Sequence, residues 1–279
     1  MDLTLRIGNG YYNARVSAQI EYLGKYITDY EEGRFEFPIG GRVKFDENIE
    51  EALHREVMEE LNVEIDTYEL IAIAEATFES SAKDGLVHEH NFIFKCTLKG
   101  EPTGHFKLVD DFVKGEYKPP YWDSLDTKFL HTDMGDYSFD PVDICHMLEE
   151  PNEFNVRISA LIRKGDYILF DESAYDRKHL VLIGGRMQMG ESFIDALNRE
   201  VGEELCVDVL SSTFLGHGED FFDLKLKKDK HKHIHFISFV FEVEVDTDAI
   251  VFSDGARGVW KHKDELPDMH MSSVMRFIG

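Results

Sequence analysis

Glu56, Glu59 and Glu60 occur together in one short stretch of the chain, and Glu200, Glu203 and Glu204 recur in another at the same spacing. On a helix turning by 100° per residue, three acids so spaced fall within an arc of about 100°, so each trio converges on one place. Like charges three and four residues apart cost an isolated helix about 0.2–0.5 kcal/mol per pair, which makes the arrangement a liability until a cation sits among them. Three hard oxygen donors on a rigid element suit Mg²⁺ or Mn²⁺, ions that commonly bind carboxylates together with the phosphate oxygens of a substrate. Arg55 and Arg199 each precede the first acid, where a guanidinium can hold a neighbouring carboxylate in bidentate geometry. Acidic pairs on an arbitrary helix are usually only a solvated face. Here a Gly-Gly pair upstream, the adjacent Arg and the recurrence of the whole pattern favour a metal site.

The elements that position these acids are legible in the same stretches. Asn48 and Ser192 are N-cap residue types with an acid three positions on, Glu51 and Asp195. An apolar series follows at helical spacing: Ile49, Leu53, Val57 and Leu61 in one copy, Phe193, Leu197, Val201 and Leu205 in the other. Each copy therefore predicts one amphipathic helix. The full repeat, residues 41–63 and 185–207, reads G-x5-E-x7-R-E-U-x-E-E-x-x-U with U aliphatic, at a constant offset of 144 positions. It extends outward: RVSAQI at 15–20 matches RISALI at 157–162, both readable as strands, and EATFES with HEHNFIF parallels EDFFD with HIHFISFVF.

Both segments resemble the signature of Nudix hydrolases, usually written G-x5-E-x7-R-E-U-x-E-E-x-G-U. The resemblance implies a mixed α/β fold, two α/β/α sandwich domains in tandem, at residues 1–147 (with an extension at 101–140) and 152–279. It implies that Glu56, Glu59, Glu60, Glu200, Glu203 and Glu204, with the backbone carbonyls of Gly40 and Gly184, ligate divalent metal. It further implies that Arg55 and Arg199, with Glu47 and Glu191, tie loop to helix and orient those acids. The chain departs from the signature at Asn62 and Cys206, which stand where the family has a Gly. Asn tolerates a left-handed conformation there and Cys less readily. Asp46 stands opposite Gly190, and Gly202 inside the second helix is expected to cost about 1 kcal/mol relative to Ala.

The activity implied is pyrophosphohydrolysis of a nucleoside diphosphate linked to another moiety, with water attacking phosphorus. Glu59 and Glu203 are assigned the base-linked role, with Glu89 and Asp254 as acids outside the repeat. Family members specific for ADP-ribose often carry a Pro beyond the box. None occurs in residues 61–100 or 207–242, which leaves nucleoside triphosphates slightly ahead. The competing readings are a ligand-sensing regulator without hydrolysis, disfavoured because no basic helix-turn-helix segment is present, and one catalytic domain beside a structural one. In the latter, Gly202 and Cys206 mark the C-terminal copy as the weaker.

Composition agrees with a chain of two packed domains. There are 279 residues, 43% of them apolar, with a boundary expected in residues 141–154, where Pro141 and Pro151 fall. The short linker and the extension at 101–140, which contains KPPYW, lead to the expectation that the halves pair within the chain, oligomeric state being left open. A net charge of −25 disfavours a duplex nucleic-acid surface; a small nucleotide, brought in through bound metal, is the expected partner. No long apolar run or signal region appears, so no membrane association and a cytoplasmic location are expected. Cys96, Cys145 and Cys206 lack zinc spacing and are expected to be reduced, buried thiols. The histidines at 88 and 90 and at 231, 233 and 235 alternate along strands. They are expected to be polar strand or pocket-edge groups rather than zinc ligands, and the basic run 224–232 a solvated loop.

Overall fold

The structure is a computed structural model, described for residues 1–29, 37–80, 85–110, 129–148, 152–172, 180–225, 231–253, 257–265 and 272–278. The chain divides into two compact units, Met1–Asp140 and Pro141–Gly279.

In the first unit the described strands are β1 (Thr4–Ile7), β2 (Gly10–Tyr22), β3 (Lys25–Asp29), β4 (Ile65–Ser80), β5 (Gly85–Leu98), β6 (Phe106–Val109) and β7 (Phe129–Met134), with one helix, α1 (Ile49–Leu61), between β3 and β4. They form one mixed sheet in the order β6-β3-β2-β5-β4-β7, with β1 pairing β2. The β2–β5 and β4–β7 pairs are parallel and the long β4–β5 pair is antiparallel. Strand β2 shows why such a sheet forms. Tyr12, Ala14, Val16, Ala18 and Ile20 are all fully buried, while Asn13, Arg15, Ser17 and Gln19 alternate with them, giving an apolar and a polar face with period two.

The second unit repeats this plan with β8 (Cys145–Met147), β9 (Asn152–Lys164), β10 (Tyr167–Asp171), β11 (Val181–Leu182), α2 (Phe193–Leu205), β12 (Ser211–Lys225), β13 (His231–Glu244) and β14 (Gly258–His262), followed by a 3₁₀ helix, Ser272–Phe277. Its order is β11-β10-β9-β13-β12, with β14 on β10 and β8 on β9. Residues 145–147, assigned to the first half on sequence, thus pair with the second unit's β9. Phe193 of α2 packs edge-on against Phe239 of β13, with centroids 4.4 Å apart. On the opposite face of the sheet Asp220 accepts from the N–H and hydroxyl of Ser273 in the 3₁₀ helix; this is the face of Gly216 and Gly218, whose open Cα positions abut Phe277 and Ser273.

Both helices bury the stripe read from the sequence: Ile49, Leu53, Val57 and Leu61, and Phe193, Leu197, Val201 and Leu205, are all 0% exposed. Asn48 closes a complete capping box with Glu51. Ser192 accepts from the Asp195 N–H, but Asp195, one methylene shorter than Glu, turns to the Ser192 hydroxyl at 2.6 Å instead of the backbone. Both helices end in left-handed residues, Asn62 at φ 51° and Cys206 at φ 53°, so Cys adopts the conformation it was expected to resist. Cys206 is exposed, correcting the expectation of three buried thiols; it lies just beyond the last core residue, Leu205, where the chain turns to solvent. Cys96 is buried, and that burial pushes its thiol up to about 12. Of the 101–140 extension, β6 and β7 join the sheet, whereas the KPPYW stretch and residues 149–151 lie outside the described residues.

Gly202 is exposed on α2, and a Cβ placed there meets nothing within 4 Å. Gly202→Ala is therefore expected to raise stability by about 0.5–1 kcal/mol, measured as a shift in urea midpoint at unchanged slope.

Candidate active site

Each trio of acids is held by a loop pinned on top of its helix. In the first unit Arg55 Nε and Nη2 donate to the two oxygens of Glu47 at 2.6 and 2.9 Å, Nη1 to Glu56 at 2.5 Å and Glu59 at 3.4 Å, and Nη2 also to the Arg42 carbonyl at 2.9 Å. Arg199 repeats this with Glu191 at 2.6 and 2.9 Å, Glu200 at 2.7 Å, Glu203 at 3.3 Å and the Arg186 carbonyl at 2.9 Å. Glu47 also accepts from the Lys44 N–H, and Glu191 from the Gln188 N–H. Burial alone would raise the Glu47 carboxyl, but the Arg55 and Lys44 hydrogen bonds outweigh it and hold the group below its ordinary value.

Gly40 and Gly184 lie at φ 148° and 129°, where a side chain would be strained. A Cβ at either would also stand 2.2 Å from a strand carbonyl, that of Val16 or Ile158. The following Gly41 and Gly185 leave room for acids: a Cβ there would sit 2.4 Å from the carboxylate of Glu56 or Glu200. The Gly-Gly pair thus lets the loop lie between strand and helix in contact with both. The Gly40 and Gly184 carbonyls accept from Arg15 and Arg157 at 3.3 and 3.2 Å.

The six acids are not equivalent. Side chains of Glu56 and Glu200 are only 12% and 11% exposed, whereas Glu59 and Glu203 are 55% and 62% exposed. Glu60 is pushed up to about 7 by burial, with Asp29 and Glu56 adding repulsion against the opposing Gly40 N–H. Glu204 likewise rises to about 7 through burial, Asp171 and Glu200, although the Gly184 N–H donates to it at 3.1 Å. Asp29 and Asp171 end β3 and β10. Sequence reasoning missed both, because only strand pairing brings them to the helix.

The donor set fits a hard divalent cation. It consists of carboxylate oxygens and a backbone carbonyl, and Glu60 Oε2 is buried with no hydrogen-bond partner among the described residues. Buried acids raised this far are groups that a cation would return to the ionised form. Glu56, Glu60 and the Gly40 carbonyl, and Glu200, Glu204 and the Gly184 carbonyl, would hold it, with Glu59 and Glu203 at the solvent side.

The two units differ away from the box. On the polar face of the first, Asn13 donates to Glu89 at 3.1 Å and Ser17 to Asn91 at 3.0 Å. The strand register places Phe236 and Ser238 of the second unit where Glu89 and Asn91 stand, and Ser159 pairs with Ser238 at 2.8 Å. Glu89 is therefore an acid outside the box in the first unit alone at this position; Asp254 lies outside the described residues. In the second unit the buried Glu153 accepts from Arg186 at 2.9 Å and from Lys232, so Lys232 at the end of the basic run is paired rather than solvated; residues 226–230 lie outside the described residues. His231 is exposed and His233 pairs with Asp223 at 2.8 Å. His88, His90 and His235 are on strands as expected but fully buried rather than at a pocket edge. Burial lowers His88 to about 4 and His90 well below its ordinary value, so both imidazoles are neutral near pH 7.

The family model for the NUDIX domain matches residues 23–126 and again 153–274. Similar solved structures include a MutT protein from work on Aliivibrio salmonicida and Vibrio cholerae, 16% identical over 44% of this chain and 92% of that one, TM-score 0.29. The MutT NUDIX hydrolase of Burkholderia pseudomallei is 21% identical over 45% and 95%, TM-score 0.29. The ORF135 protein of E. coli is 17% identical over 45% and 86%, TM-score 0.30. No curated protein matches the chain at a significant level.

Two outcomes follow from the geometry. Since Glu60 and Glu204 titrate near 7 and cations bind the ionised form, the rise in melting temperature caused by Mg²⁺ or Mn²⁺ should grow as pH increases from 6 to 8, in steps of about 0.5. A metal-induced rise that is flat or falls across that range contradicts the assignment. Arg55→Lys retains charge but loses the fork that holds Glu47 and Glu56 together, so metal affinity at the first box, read by calorimetry, should fall by about 10–100-fold.

Proposed function

The chain belongs to the NUDIX family, hydrolases of pyrophosphate-containing substrates, and from that premise we propose that it cleaves nucleoside diphosphates linked to another moiety, nucleoside triphosphates foremost, with Mg²⁺ or Mn²⁺. The observation that carries this reading is the twofold box in which buried acids, Glu60 and Glu204, lie against the backbone of Gly40 and Gly184, an oxygen site suited to a divalent ion shared with phosphate. A divalent ion held there would supply charge to neutralise diphosphate oxygens and to lower the pKa of a water. The chain's own residues do the rest. Arg55 and Arg199 fix the acids, and Glu47 and Glu191 fix the arginines. Glu59 and Glu203, more exposed than their neighbours, stand at the solvent side where a water proton can be accepted.

A second reading, one catalytic unit beside a mainly structural one, is favoured by Glu89, whose place in the second unit is taken by Phe236. The second box is as well formed as the first, so Gly202 and Cys206 give no support to a weakened C-terminal copy; the difference lies on the polar sheet face.

The combined variant Glu59→Gln with Glu203→Gln should lose about 10²–10⁴-fold in kcat with its circular dichroism unchanged. Turnover close to wild type would shift the base to Glu89 or beyond. Assays of nucleoside triphosphates, ADP-ribose, dinucleoside polyphosphates, nucleotide sugars and RNA 5′ ends with either metal decide the substrate. Greater kcat/KM on any class other than triphosphates overturns that preference. Glu56→Gln with Glu60→Gln, set against Glu200→Gln with Glu204→Gln, separates one active unit from two.

A further inference from the structure

We propose that the first unit holds a second metal ion, a transition metal of the Zn²⁺ type, on Glu75, His88 and His90, at a site separate from the box. The ligating atoms of these three residues all lie within 4.8 Å of one another, and all three side chains are fully buried. They come from the antiparallel pair β4–β5. Glu75 stands opposite His90, and His88 and His90, two apart on one strand, share a sheet face with centroids 4.9 Å apart.

Two imidazoles and one carboxylate form the three-ligand set that binds Zn²⁺ and leaves a fourth tetrahedral position; Mg²⁺ by contrast takes oxygen. The surroundings orient that set. The Tyr12 hydroxyl lies 3.0 Å from His90 Nδ1, which directs Nε2 as the ligating atom, and Thr132 Oγ1 donates to Glu75 Oε1 at 2.6 Å. Hydrogen bonds of this kind fix ligand orientation at metal centres. The box is a different site: its donors are all oxygen, it shares no residue with this cluster, and Glu89 and Arg15 lie on the other sheet face from His88 and His90.

The second unit serves as an internal comparison. Parallel pairing of β2 with β5 and of β9 with β13 makes His235 the counterpart of His88, Ile237 that of His90 and Phe154 that of Tyr12, while Glu219 stands opposite Ile237 as Glu75 does opposite His90. There Glu219 and His235 remain, 3.6 Å apart. The third ligand and the hydroxyl that supports it have both become apolar, and His235 lies against Phe154 and Phe221, with centroids 5.2 and 4.3 Å away. A Glu-His pair packed by aromatics is thus a sufficient core for this fold. The first unit adds a second His and a Tyr to the same place, which packing alone does not require. The ion would join β4 to β5 and stabilise the first unit.

Full-length protein, stripped with chelator and dialysed against Zn²⁺ in excess Mg²⁺, should retain about one equivalent of Zn²⁺ per chain by mass spectrometry. Its Co²⁺ form should show the visible bands of a four-coordinate ion with nitrogen ligands. His90→Ile, the residue of the second unit, should lose both signals, while Glu56→Gln with Glu60→Gln and His235→Ala should keep them. Tyr12→Phe, which keeps the ring, guards against a His90 variant that fails to fold and should weaken Zn²⁺ by about tenfold. The proposal is overturned if wild-type protein retains no Zn²⁺, if folded His90→Ile retains it, if Tyr12→Phe binds as wild type, or if the box variants abolish it.

Discussion

Arg55 commits every side of its guanidinium, to Glu47 across the loop, to Glu56 and Glu59 along the helix, and to the Arg42 carbonyl beneath. The rest of the box depends on this arrangement. Without a cation bridging loop and helix, three acids within one turn and a half of α1 would repel one another and the loop; with it, the loop carrying Gly40 lies against the helix, where the Gly40 N–H reaches Glu60. That Arg199 repeats the arrangement within 0.2 Å at every contact shows how little freedom a planar, five-donor group has once its partners are set. The glycine pair is the steric counterpart, since no side chain could fit where strand, loop and helix meet.

Away from this constraint the units have diverged. The box acids and their arginine ties are the same in both units, whereas the polar sheet face and its far side are not. The first unit retains Glu89 and gathers Glu75, His88 and His90; the second places Phe236 and Ile237 at the positions of Glu89 and His90 and gathers Arg186 and Lys232 around Glu153. Two boxes of equal geometry therefore lie on sheets of unequal chemistry.

The parts legible in the sequence are those made by neighbours along the chain. Helix limits, caps, the buried stripe and the Arg-Glu ties all follow from contacts spanning one to eight positions, and the repetition of these spacings made the box legible twice. Asp46 at φ 66° and Asn62 at φ 51° likewise conform to what their residue types tolerate. Cys206 does not, because the geometry of a helix end buried by Leu205 outweighs the modest preference of one side chain.

What only the tertiary structure decided rests on strand register. Tyr12 meets His90 from 78 positions away and Asn13 meets Glu89 from 76, and a shift of one residue in pairing would send each to the opposite face. The alternation of the histidines was visible; that Glu75 lies opposite them, and that burial removes them from any pocket edge, was not. The same holds for Asp29 and Asp171, which raise Glu60 and Glu204 only because β3 and β10 end beside the helices. The sequence by itself determined which residues form the box and what chemistry its donors suit, since helical periodicity is local. Which acids are buried, which face each strand presents and what stands across from it belong to the folded sheet, since those pairings join residues that no short-range pattern connects.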